Sequence, residues 1–158
     1  MSKDDWETLQ LLPLNVFLSV SAADGKIDRA ERRAFVTAVN YCKTWGCRLA
    51  EEVLEDMKDK YSFSTEYSEK SQEILDTELQ KIENILSVQV EKEDALMFRK
   101  IMIALGIFIG QSSGKVFEES FTFTEAKALR KLSMKMNVTL DELMKPPSVQ
   151  LISETLLD

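Results

Sequence analysis

Val16-Phe17-Leu18-Ser19-Val20-Ser21-Ala22-Ala23-Asp24-Gly25-Lys26-Ile27-Asp28-Arg29-Ala30-Glu31 is an apolar helical run that stops at a Gly-Lys turn and restarts at a capping box. The order recurs further along the chain. Leu105-Gly106-Ile107-Phe108-Ile109-Gly110-Gln111-Ser112-Ser113-Gly114-Lys115-Val116 is again an apolar run closed by Gly-Lys-aliphatic, and Thr122-x-x-Glu125 again opens a helix. Ile27 and Phe121 hold the apolar position just before each cap. Gly25 and Gly114 lie 89 positions apart and the caps Asp28 and Thr122 lie 94 apart, so the second copy carries five extra residues in its loop. A glycine at each turn accepts the φ > 0 conformation that closes the preceding helix, and the cap satisfies amides that open the next. Two such helix–turn–helix units with apolar inner faces can share one core about a pseudo-twofold axis.

Working outward, apolar residues recur at helical spacing almost everywhere. Trp6, Leu9, Leu12, Val16, Phe17 and Val20 predict an opening helix that kinks or restarts at Pro13. Asp28 starts a helix with Phe35, Val36 and Val39 on one face, and Gly46 punctuates it. Leu49, Val53, Leu54 and Met57 form the inner stripe of the next, with Glu51, Glu55 and Asp59 outside. Residues 61–70 read as a Ser- and aromatic-rich linker. Ile74, Leu75, Leu79, Ile82, Ile85 and Leu86 predict a long amphipathic helix. Ala95 to Ile109, apolar nearly all round, predicts the central buried one. Ala128, Leu129, Leu132 and Met136 mark a further helix, and short ones are expected at 140–144 and 149–157, around Pro146-Pro147. Met97, Met102, Met134 and Met136 are expected to fill the core. No stretch alternates with period two. The fold expected is all-α, a compact bundle of about seven helices, one domain over 1–158, with halves at roughly 12–60 and 95–145 joined by 61–94.

Composition narrows the function. The chain has 158 residues, 44% apolar and 30% charged, and contains no histidine, which removes His-based triads, imidazole bases and histidine zinc sites. Its net charge of −7 disfavours a phosphate backbone, so no nucleic-acid partner is expected. Residues 51–94 alone carry −9 and the rest +2, so the negative field belongs to the middle of the chain. Cys42 and Cys47 cannot complete a four-ligand zinc site by themselves and read as reduced thiols. Met-Ser-Lys-Asp-Asp does not look like a secretory signal, and the uncharged run 101–114 is too short to span a bilayer.

The acidic turn bears comparison with a calcium loop. With Gly25 at loop position 6, Asp24, Ile27, Asp28 and Glu31 fall at positions 5, 8, 9 and 12, all of which suit the pattern. Val20 and Ala22 then occupy positions 1 and 3 and offer no ligand atom, so half of the loop is missing. The alternative is local: Asp28 and Glu31 serve as a capping box worth about 1 kcal/mol, and Asp24 as turn chemistry.

Ala23-Asp24-Gly25-Lys26-Ile27-Asp28-x-x-Glu31, between two helices and repeated in weaker form later, resembles the TerB-like tellurite-resistance family. The same domain type resembles the N-terminal region of some membrane-associated J-domain co-chaperones. The likeness runs from about Leu12 to Met144, closing on Val138-Thr139-Leu140-Asp141-Glu142-Leu143. It implies an all-helical domain in two pseudo-symmetric halves, a cytoplasmic place or one peripheral to the inner membrane, and a link to chemical stress. It also implies chelation of a divalent metal ion by the acids of the two turns. By position, Asp24, Asp28 and Glu31 match the first motif and Glu125 the second. Ser113 stands where the second aspartate is expected; either Glu118 or Glu119 in the longer loop replaces it, or the second half-site is dead.

Two readings of function follow. In the first, a non-catalytic stress-response protein binds a divalent cation, calcium-like because every candidate donor is oxygen, through Asp24, Asp28, Glu31 and Glu125. In the second, a metal-free helical scaffold docks protein partners, with inner-membrane complexes among them, by its acidic middle helix or an apolar groove. An enzyme is not expected, since no nucleophile–base pair or cofactor fingerprint accompanies the carboxylates. Ser112-Ser113-Gly114-Lys115 lacks the spacing and preceding strand of a phosphate loop.

Overall fold

A computed structural model of the chain describes residues 1–21, 29–40, 45–60, 70–111 and 123–138. Seven α-helices and no strand occur among them: α1 (Lys3–Leu9), α2 (Leu11–Ser21), α3 (Arg29–Asn40), α4 (Arg48–Lys60), α5 (Gln72–Gln89), α6 (Lys92–Gln111) and α7 (Phe123–Lys135). The fold is all-α, as the periodicity predicts. The helices expected at 140–144 and 149–157, and the linker 61–69, lie outside the described residues.

One hydrophobic cluster draws side chains from all seven helices. At its centre is α6, whose residues 101–110 are all buried. It packs against α2, α3, α4, α5 and α7. The helices of the two echoing stretches pack together: α2 lies on α6, α3 packs on α6, and α7 packs on α2. A close approach fixes this centre. A Cβ at Gly106 would stand 2.7 Å from Leu129 Cδ2 and 3.0 Å from Val16 Cγ1, so α2 and α7 approach α6 so closely that even a methyl group there requires a neighbouring side chain to give way.

The opening helix breaks at Gln10, not at Pro13. Pro13 falls in the first turn of α2, where the backbone amide has no intrahelical acceptor and its loss costs nothing. Ser2 caps α1 by accepting from Asp5 N, and Ser71 caps α5 by accepting from Ile74 N. Gly46 takes φ 74° just before α4. At the end of α7, Val138 N bonds Ser133 O and Asn137 N bonds Met134 O, while Asn137 sits at φ 53°. This is a Schellman motif with asparagine in the left-handed position. Asn137→Ala should therefore destabilise the protein by about 1 kcal/mol, because alanine has no side-chain compensation for positive φ. Asn137→Gly should not, and urea titration of the two variants separates them.

Specific polar links join distant helices among the described residues. Arg99 of α6 grips Glu83 of α5 in a two-pronged pair, Nε to Oε1 and Nη2 to Oε2, each at 3.0 Å. Trp6 Nε1 donates to Asp56 Oδ2 at 2.7 Å, tying α1 to α4. Asn15, 1% exposed amid the apolar α2, donates from Nδ2 to Leu75 O of α5 at 2.8 Å.

Three apolar residues expected inside are not. Ile74, Met97 and Met134 are 49%, 48% and 75% exposed. Each sits next to a residue that does face the core (Leu75, Phe98, Ser133), and a rotation of about 100° per residue turns the neighbour outward. Met102 and Met136 are fully buried as expected. Trp45 closes an edge of the core at 7% exposure.

Candidate functional site

The first acidic junction is bounded by the end of α2 at Ser21 and the start of α3 at Arg29. An aromatic pair fastens these helices to each other: Phe17 of α2 and Phe35 of α3 stack with ring centroids 4.6 Å apart and planes 14° from parallel. Glu31 is the third residue of α3, and only 2% of it reaches solvent. A capping glutamate on the surface need not be covered. One this deep requires a cation, a proton or several hydrogen-bond donors to offset its desolvation.

Glu125 is likewise the third residue of its helix, α7. The two glutamates thus hold the same position in their helices. The Glu125 side chain, Asp24, Asp28, Ser113, Glu118 and Glu119 lie outside the described residues. Of the four candidate ligands, Glu31 alone has a described side chain. Among the described residues no three acidic or cysteine side chains converge as a metal site would. Neither is any described helix long and apolar enough to cross a membrane.

Cys47 is buried, and that burial pushes its thiol above the ordinary cysteine range. It belongs to the core. On the acidic face of α4, Glu55 is exposed as expected and Glu51 is half-buried; Glu52 and Asp56 are exposed too, though Glu52 meets Arg48 at 3.0 Å and Asp56 accepts from Trp6.

A second concavity was not foreseen from the sequence. Between α2, α5 and α7 lies a cleft with room for about 40 Å³, lined by Asn15, Ser19, Gln72, Asp76, Lys131 and Lys135 over an apolar floor. Asp76 Oδ1 accepts from Gln72 Nε2 at 2.9 Å and from Lys135 Nζ. The Lys135 and Gln72 hydrogen bonds, with the field of Lys131 added, hold the Asp76 carboxyl below its usual range. Its parts come from positions 60 or so residues apart, so only the polar Asn15 inside an apolar helix and the Lys131–Lys135 spacing hinted at it.

Compared with known proteins, the chain matches no family model, no curated protein and no solved structure.

Proposed function

We propose that this is a non-catalytic, cation-responsive helical protein of the kind the TerB-like resemblance implies. Asp24, Asp28, Glu31 and Glu125 hold a divalent metal ion, with calcium the natural choice for an all-oxygen donor set. The observation that carries this reading is the burial of Glu31 to 2% exposure in the first turn of α3, with Glu125 in the same register of α7. An ion shared by the two junctions would lock α2–α3 against α6–α7 and change the surface a protein partner reads. A role in tellurite or chemical-stress resistance, in the cytoplasm or beside the inner membrane, belongs to the same proposal.

Calcium titration tests it. At about a hundredfold excess over Kd, a single site adds about 2.7 kcal/mol, a rise in melting temperature of roughly 5–10 °C for a chain of this size. Asp24→Asn should abolish the rise and leave the metal-free melting temperature within about 2 °C of the parent, since a turn aspartate contributes little to the fold. The absence of any response to calcium, magnesium or manganese would refute the cation reading.

The metal-free scaffold is the second reading, and the apolar exposure of α5 and α6 favours it. Val88 is 82% exposed, with Leu96 at 41% and Met97 at 48%. Large exposed apolar side chains suit a docking face. In that case divalent ions leave the melting curve unchanged, and charge substitutions at Val88 or Met97 release bound partners without unfolding the protein.

A further inference from the structure

The cleft between α2, α5 and α7 has no part in the cation reading, and its chemistry has the opposite sign. We propose that it binds a small oxyanion, with Lys131 as the charge partner and the Ser19 hydroxyl and Asn15 amide as the hydrogen-bonding wall.

Four observations converge on this. The first is charge. Among the described residues that line the cleft, Lys131 and Lys135 stand against one carboxylate, Asp76, an excess of one positive charge. The Asp76 carboxylate is already engaged by Lys135 and Gln72, which weakens its repulsion of an incoming anion. Lys131 acts on Asp76 through its field, whereas Lys135 and Gln72 make the direct hydrogen bonds to that carboxylate, so the Lys131 ammonium is the one available to meet a ligand.

The second is the placing of α5. Gln72 on the cleft wall is the first residue of this 18-residue helix, so the positive end of its dipole lies at the site.

The third is a buried polar wall. Asn15 is 1% exposed, and its amide nitrogen carries two hydrogens, of which the bond to Leu75 O uses one. Ser19 Oγ reaches Asn15 Oδ1 only at 3.4 Å, a long bond that a stronger acceptor in the cleft would readily replace. An asparagine that served packing alone would not need to line an open cleft.

The fourth is size. About 40 Å³ holds two or three waters or one tetrahedral oxyanion, and excludes a nucleotide or sugar ring. A cation is disfavoured by the two ammonium groups, and an apolar ligand by the polar rim. Helical bundles place small-ligand sites between helices in this way.

The test uses the full chain in EDTA, so that its outcome is separate from that of the calcium titration. Backbone amide spectra are recorded while sodium phosphate, and in a parallel series sodium acetate, replaces sodium chloride at constant ionic strength. Saturable shifts confined to the amides around Ser19, Gln72 and Lys131, with phosphate alone or with both anions, support the proposal. Lys131→Gln should then weaken binding about tenfold, the usual scale for losing one charge-assisted contact. Ser19→Ala should weaken it by a smaller factor. Lys131 is exposed, so its variant folds and its spectrum otherwise overlays the parent's. Shifts that grow linearly without saturation, that arise equally with chloride, or that keep the same midpoint in Lys131→Gln would overturn it.

Discussion

Replacing Phe35 by alanine should cost about 3–5 kcal/mol of folding free energy and lower the melting temperature by roughly 10–15 °C. Phe35 has no solvent exposure and stacks on Phe17, so truncation removes its transfer free energy, opens a cavity and strands the partner ring. Phe35→Leu keeps most of the volume and should cost no more than about half as much. Because the stack fastens α2 to α3, the alanine variant should also weaken any calcium response that the parent shows, even though Phe35 carries no ligand atom. Differential scanning calorimetry of both variants, with and without calcium, reads the two effects together. A loss below about 1 kcal/mol for Phe35→Ala would mean that the aromatic pair does not hold this junction.

The second large effect is expected at Gly106. Alanine there has two opposed consequences. It gains about 1 kcal/mol of helix propensity over glycine, and its Cβ meets Leu129 Cδ2 at 2.7 Å and Val16 Cγ1 at 3.0 Å. The Leu129 contact is the end of a flexible side chain, so Gly106→Ala should be close to neutral. Valine adds two more carbons to the same space, with Val20 Cγ2 at 3.4 Å on a third side. Overpacking then dominates, and Gly106→Val should lose about 3 kcal/mol. Combining it with Leu129→Ala should recover about 1–2 kcal/mol relative to additivity, since the second change vacates the space that the first invades. Urea titrations of the cycle measure this coupling. Simple additivity would show that the helices had moved apart.

How much of this was readable beforehand differs by element. The stripes of α3 and α4 were, because Phe35 and Val39, or Val53, Leu54 and Met57, recur at a spacing that only a helix turns to one side. The centrality of α6 was also readable, since a helix apolar all round has no face to give to water. What failed was the choice between adjacent apolar residues. Hydrophobicity does not decide whether Ile74 or Leu75 points inward, and the rotation imposed by the neighbouring helices does. The break at Gln10 was misplaced because Pro13 is a strong stop signal inside a helix and a harmless one in its first turn. At the acidic junction, the place of Glu31 in the first turn of a helix was legible from the sequence. Its burial was not, because that depends on what α3 packs against. The α2–α5–α7 cleft depends on contacts such as Asn15 to Leu75, across 60 positions, which local pattern cannot signal.

The position of α6 in the chain has a consequence for biosynthesis. Helices α1 to α5 all precede it, and the apolar flank of α2 that rests against α6 has no cover until residue 111 has been made. At about 5–20 residues per second, and with the last stretch still inside the ribosome, the nascent chain carries that unshielded flank for several seconds. Over that interval the uncovered flank is the part of the nascent chain most exposed to aggregation.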